Sequence, residues 1–221
     1  MKNEYMLQFL IIVMLLCFSQ NLLAGGENQS RLLEYASEDL RNKCDSQLVA
    51  FQERNKDGEW EFHSNLEIKE NTKAEINGKE YTVLIIATGG FGELILIDSS
   101  GSKENILSRK INVPGMHVRI GKVLDLNKDG YDEITIYASG GAHGSYAYFL
   151  SLKNDTLSFI EKADGDISFF ALVGWVHTKD FDKDGVFEIV VDRKPSEGKT
   201  ESYDIYKWDG AHYALKDQVE K

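Results

Sequence analysis

Asp125–Ile134 reads DLNKDGYDEI, and fifty-five residues later Asp180–Ile189 reads DFDKDGVFEI. Each stretch carries a side-chain oxygen at positions 1, 3, 5 and 9. These are Asp125, Asn127, Asp129 and Glu133 in the first, and Asp180, Asp182, Asp184 and Glu188 in the second. Gly130 and Gly185 fill position 6, where a sharp turn favours a residue without a Cβ. Oxygens at alternate positions of a tight loop converge on one point, and a hard cation such as Ca2+ gathers roughly six to eight of them. The main-chain carbonyl at position 7, from Tyr131 or Val186, would add another. The last acid comes sooner than in the helix–loop–helix calcium motif and runs into Ile134-Thr135-Ile136 or Ile189-Val190-Val191. Those β-branched runs place each loop at the start of a strand. A solvated Asp/Asn/Gly turn is the competing reading of one such loop; two copies in matching context favour the metal.

Around the loops the chain reads as strands. Tyr81–Thr88, Glu93–Asp98, Glu133–Ala138, Tyr146–Leu152, Glu188–Asp192 and Tyr203–Trp208 are β-branched or aromatic runs separated by Gly, Asn, Asp and Ser. Their order repeats. From Asp125 the chain gives acidic loop, strand, Gly-rich bend (Ser139–Gly144), strand, polar turn (Lys153–Thr156) and strand (Leu157–Ile160). From Asp180 it does so again, ending at Tyr213–Leu215. An upstream unit lacks the acidic loop but aligns Ala87-Thr88-Gly89-Gly90 with Ala138-Ser139-Gly140-Gly141. The fold class is therefore all-β, a short array of three or four antiparallel, propeller-blade-like units.

One short amphipathic helix is expected over Ser30–Lys43. Leu48–Phe51 and Trp60–Phe62 then read as strands flanking a turn at Asn55–Gly58. Glu53–Glu61 shares Asn-Lys-Asp-Gly with the first acidic loop and stands as a third candidate, with a plain hairpin turn as the alternative. The N-terminus differs in kind. Lys2 precedes the apolar run Met6–Phe18, and Ala24 offers a small residue before Gly25-Gly26. This reads as a signal peptide, which predicts a periplasmic or secreted protein with no membrane segment after cleavage. The expected organisation is a signal peptide over 1–24, a helical segment over 25–45 and a β-repeat domain over 46–221. Cys44 would then be the one cysteine left, so core packing, with any bound metal, would hold the fold.

Thirty-six acidic against 25 basic residues give a net charge of −11. That argues against nucleic acid, whose phosphates need clustered Lys and Arg. It suits a cation or a basic partner, and equally a plain solvated surface. The chemistry of an enzyme is not evident. The five histidines (His63, His117, His143, His177 and His212) lack zinc spacing, and neither a nucleophile elbow nor a phosphate loop occurs. His143 lies near Ser139, Ser145 and Tyr146, but a polar loop explains that group better than a catalytic pair.

D-x-[DN]-x-D-G-x-x-[DE] followed by a strand resembles the calcium loop of FG-GAP and VCBS repeats, found in integrin-type β-propellers and many exported bacterial proteins. The resemblance covers roughly Gly121–Gln218. It implies one calcium held by Asp125, Asn127, Asp129, the Tyr131 carbonyl and Glu133. A second would be held by Asp180, Asp182, Asp184, the Val186 carbonyl and Glu188. The chain departs from the family in having material for fewer blades than a full propeller, and in ending each loop with Glu rather than Asp. Small exported proteins of this kind include periplasmic inhibitors and immunity proteins against peptidoglycan hydrolases. A binding module with a protein partner is thus implied, its surface including Ser139, His143 and Tyr146. Adhesion or glycan binding is the alternative.

Overall fold

The structure, a computed structural model, describes residues 31–54, 66–88, 91–98, 105–114, 117–139, 144–193 and 202–220. Residues 31–33 are helical, the chain turns, and helix α1 (Glu38–Arg54) follows. Ser37 caps α1, its Oγ accepting from the Leu40 N–H at 3.2 Å. The Ser37 N–H in turn donates to Glu93 Oε2 at 2.9 Å, which ties the start of the helix to the sheet beneath. Two expectations are corrected here. The helix read over Ser30–Lys43 is interrupted by the turn before Ser37, and Leu48–Phe51, read as a strand, lies inside α1. No Gly or Pro interrupts 38–54, and a four-residue apolar run does not by itself distinguish strand from helix. Asn55–Gly58, Trp60–Phe62 and most of Glu53–Glu61 lie outside the described residues.

The rest of the described chain is β-structure, in three antiparallel sheets. Sheet 1 runs β1 (Glu67–Ile76), β2 (Lys79–Thr88), β3 (Phe91–Asp98) and β4 (Asn105–Pro114) in sequence order. Sheet 2 runs β5 (Arg119–Leu124), β6 (Glu133–Ser139), β7 (Gly144–Lys153) and β8 (Thr156–Phe159), and β9 (Phe169–Leu172) joins it by pairing with β7. Sheet 3 runs β10 (Val176–Lys179), β11 (Glu188–Arg193), β12 (Ser202–Trp208) and β13 (Tyr213–Glu220). The all-β class, the N-terminal helix and the array of antiparallel units are all present. β1 was not expected. It pairs with β2 across Asn77-Gly78, whose φ values of 52° and 72° make the left-handed two-residue turn that Asn-Gly favours.

The sheets pack face on face, with successive apolar residues of a strand turned to opposite, buried faces. Leu84, Ile86, Ile95 and Ile97 cover Ala36 and Leu40 of the helical segment. The opposite face of sheet 1 (Val83, Ile85, Leu94, Leu96) meets Ile134, Ile136, Leu150 and Leu152 of sheet 2. Ala147, Phe149 and Phe169 on the far face of sheet 2 meet Ile189, Val191 and Tyr213 of sheet 3. Strands covered on both sides read as continuous apolar runs, as β2 does. Each fully buried Ile, Leu or Val contributes roughly 1.5–3 kcal/mol.

The three units are not identical in aspect. Ile134 and its match Ile189 both face the preceding sheet. Ile85, matched to Ile136 by the Gly-Gly alignment, faces the following sheet and shares a core cluster with Ile136. A one-residue shift exchanges the faces of a strand, and sheet 1 differs from the other two in this way.

Candidate metal centre

Loop 1 (125–132) joins β5 to β6, and loop 2 (180–187) joins β10 to β11. Each is closed by a cross-strand pair, Leu124 with Glu133 and Lys179 with Glu188. Their backbones take the same path. Lys128 and Lys183 both have φ 60°, and Gly130 and Gly185 have φ 87° and 86°. Glycine suits such a position because a left-handed residue with a Cβ is strained.

The internal hydrogen bonds match as well. Gly130 and Gly185 donate to Oδ2 of Asp125 and Asp180 at 3.0 and 3.1 Å. Asp129 and Asp184 N–H groups donate to Oδ1 of Asn127 and Asp182 at 3.0 and 3.4 Å. Tyr131 and Val186 donate to Oδ1 of Asp129 and Asp184 at 3.0 and 2.8 Å. Leu126 and Phe181 donate to Oε2 of Glu133 and Glu188 at 2.8 and 3.0 Å. Loop 1 has one bond more, the Asp129 N–H donating to Asp125 Oδ1 at 3.1 Å, so both Asp125 oxygens shape the loop, whereas Glu133 Oε1 and Asp180 Oδ1 are buried without a hydrogen-bond partner.

In loop 2 three carboxylates converge. Asp180, Asp182 and Glu188 each offer a carboxylate oxygen, all within 4.8 Å of one another, close enough to hold a metal ion. Glu188 is buried, Asp180 half-buried and Asp182 exposed. The Lys207 ammonium on β12 bonds Asp182 and lies 3.4 Å from both Asp184 and Glu188. Those bonds, Asp182 first, raise the Lys207 pKa, and the same ammonium holds Asp182 low. A positive group thus already sits where the carboxylates point.

Loop 1 is more buried. Glu133 is fully buried, and its Oε1 has no hydrogen-bond partner. Burial pushes its carboxyl up to about 7, with Asp129 and Asp125 adding to the shift. Asp129 Oδ2 accepts from Lys153 Nζ at 2.6 Å. Burial opposes ionisation of Asp129, but the bonds from Lys153 and the Tyr131 N–H prevail and lower its pKa. A buried carboxylate oxygen with no donor calls for a proton or a cation. The donor set of both loops, carboxylate and amide oxygen, is that of a hard divalent ion.

The other expected site residues are placed differently. Ser139 ends β6 and pairs with Ser145, and His143 lies outside the described residues. Tyr146 lies in β7, within the strand expected over Tyr146–Leu152, half-buried, with its ring centroid 4.6 Å from that of Phe170. On β9, which pairs with this part of β7, and just after it, Phe170, Leu172, Val173 and Trp175 are exposed, Trp175 at 63%. Sequence reasoning missed these, and it missed Lys153 and Lys207. Only the register of β7 and β12 reveals that these two lysines face the loops.

Fold and loops define an all-β protein of three antiparallel sheets, with a carboxylate cluster able to hold a metal ion. No protein-family model matches the chain, and no curated protein matches it.

Proposed function

We propose that this is an exported calcium-binding β-repeat protein of the FG-GAP/VCBS type that acts by binding a protein partner. One observation carries the cation reading: two loops that share the φ values at Lys128/Lys183 and Gly130/Gly185 and four hydrogen bonds each hold a buried carboxylate oxygen without a partner, Glu133 Oε1 in one and Asp180 Oδ1 in the other. Asp125, Asn127, Asp129 and Glu133 would hold one ion, and Asp180, Asp182, Asp184 and Glu188 the other, with the Tyr131 and Val186 carbonyls. The ions would supply structure, linking each loop to the strand it opens. Equilibrium dialysis against calcium tests this. Two ions per chain, both lost on replacing Asp129 and Asp182 with Ala, are expected; no calcium retained contradicts it.

The partner surface is proposed at the exposed Phe170–Trp175 segment beside Ser139 and Tyr146. The net charge of −11 favours a basic partner, such as a peptidoglycan hydrolase that the protein would inhibit in the periplasm. Trp175, 63% exposed, also supports the second reading, a stacking platform for a glycan. Trp175→Ala preserves the fold under either reading. Loss of binding to a basic hydrolase supports the first, and loss of retention on a glycan array supports the second.

A further inference from the structure

We infer that the two loops take up cations as a coupled pair, and that Lys128 strengthens the coupling; this rests on the cation reading of the loops. Leu126 is the junction. Its N–H donates to Glu133 Oε2 at 2.8 Å, and its carbonyl accepts from the Phe187 N–H at 2.7 Å. Phe187 stands between Val186 and Glu188, two of the residues assigned to the second ion. The Phe187 carbonyl is held in turn by the hydroxyl of Tyr213, a fully buried residue, at 3.1 Å. A second link runs beside the first: Lys128 Nζ donates to the Asp184 carbonyl at 2.6 Å.

These bonds join the ligands of one loop to the backbone of the other. Glu133 is fully buried, and one of its oxygens lacks a donor while the other holds Leu126. A cation on the free oxygen fixes the carboxylate, hence Leu126, hence the Phe187 N–H next to Glu188. Ordering one loop in this way lowers the ordering cost left for the other. Linkage requires the effect to be reciprocal, so a cation in loop 2 must tighten loop 1 by the same factor.

Lys128 separates coupling from simple charge. It is not among the assigned ligands, and its ammonium brings positive charge to loop 2, which on electrostatic grounds alone weakens a cation there. Its bond to the Asp184 carbonyl holds the two loops together. Removing it should therefore relax the charge penalty and yet reduce the coupling.

Calcium titration calorimetry on the whole chain tests this. The proteins are the parent, Asp129→Ala and Asp182→Ala, each with and without Lys128→Met. Asp129→Asn and Asp182→Asn replace any Ala variant that loses its native circular dichroism. Disabling either loop is expected to weaken the other by the same factor, about 5-fold or more. Lys128→Met should shrink that factor while both sites persist. Equal affinities in parent and single-loop proteins, or a factor unchanged by Lys128→Met, would overturn the inference. Absence of calcium heat from every protein would instead remove the cation reading itself, and the inference with it.

Discussion

Asn77 and Asp132 exchange two hydrogen bonds. The Asn77 N–H donates to Asp132 Oδ2 and the Asp132 N–H to Asn77 Oδ1, each at 2.6 Å. Asn77 is the turn of the first hairpin in sheet 1, and Asp132 is the last residue of loop 1 in sheet 2. Asn77 Nδ2 also donates to the Leu152 carbonyl at 3.0 Å. A turn from one sheet is thereby latched to a candidate metal loop in the next. Asp132 contributes no assigned ligand, so Asp132→Ala should cost about 1 kcal/mol, the net value of a typical hydrogen bond. Urea unfolding should register that loss to the same extent in calcium and in chelator.

Asp182 should behave differently. Its carboxylate is exposed and pairs with Lys207, and such a surface pair contributes little. Asp182→Ala should leave the unfolding midpoint nearly unchanged in chelator and lower it in calcium. Equal losses in both would show that Asp182 holds no ion.

Lys207 stands among the acid groups of loop 2, so a metal ion must displace it. A unit charge about 4 Å away costs about 1 kcal/mol in water, or roughly fivefold in affinity. Lys207→Met should tighten calcium binding at loop 2 by about that factor. In chelator the same change should lower stability, because Asp182, Asp184 and Glu188 lose their counter-charge. Calorimetry and thermal unfolding read the two effects separately.

The pH dependence in chelator follows from Glu133. Its carboxyl is raised from its ordinary value of 4.5 to about 7, chiefly by burial. Between those values the folded protein binds the proton and the unfolded chain does not. The stabilisation is thus complete below about pH 4.5 and lost as the pH rises through about 7. Calcium should offset that decline by taking the place of the proton. Unfolding midpoints measured from pH 5 to 8, with and without calcium, check the crossing trends.

The loops were legible in sequence because their geometry is local. Oxygens at Asp125, Asn127, Asp129 and Glu133 and a glycine at Gly130 specify one short path, and Gly130 takes the left-handed φ that path needs. The strands that follow were legible because β-branched runs such as Ile134–Ile136 are buried between sheets. Charge-rich β1 was missed, although Asn77-Gly78 is a strong hairpin signal. The apolar run at Leu48–Phe51 was ambiguous at that length, and the surrounding sequence of α1 decided it. Lys153, Lys207 and the Tyr146–Phe170 contact depend on how distant strands align, which no local pattern encodes.

Thermal unfolding of the whole chain in EDTA and across a calcium titration tests the central claim most directly. An ion that binds only the folded state raises the midpoint with its concentration. The account predicts a rise of several degrees across the range of weak extracellular sites, about 10⁻⁴–10⁻³ M calcium. A midpoint unmoved at about 10 mM calcium, well above that range, would contradict it and leave the two loops as acidic turns.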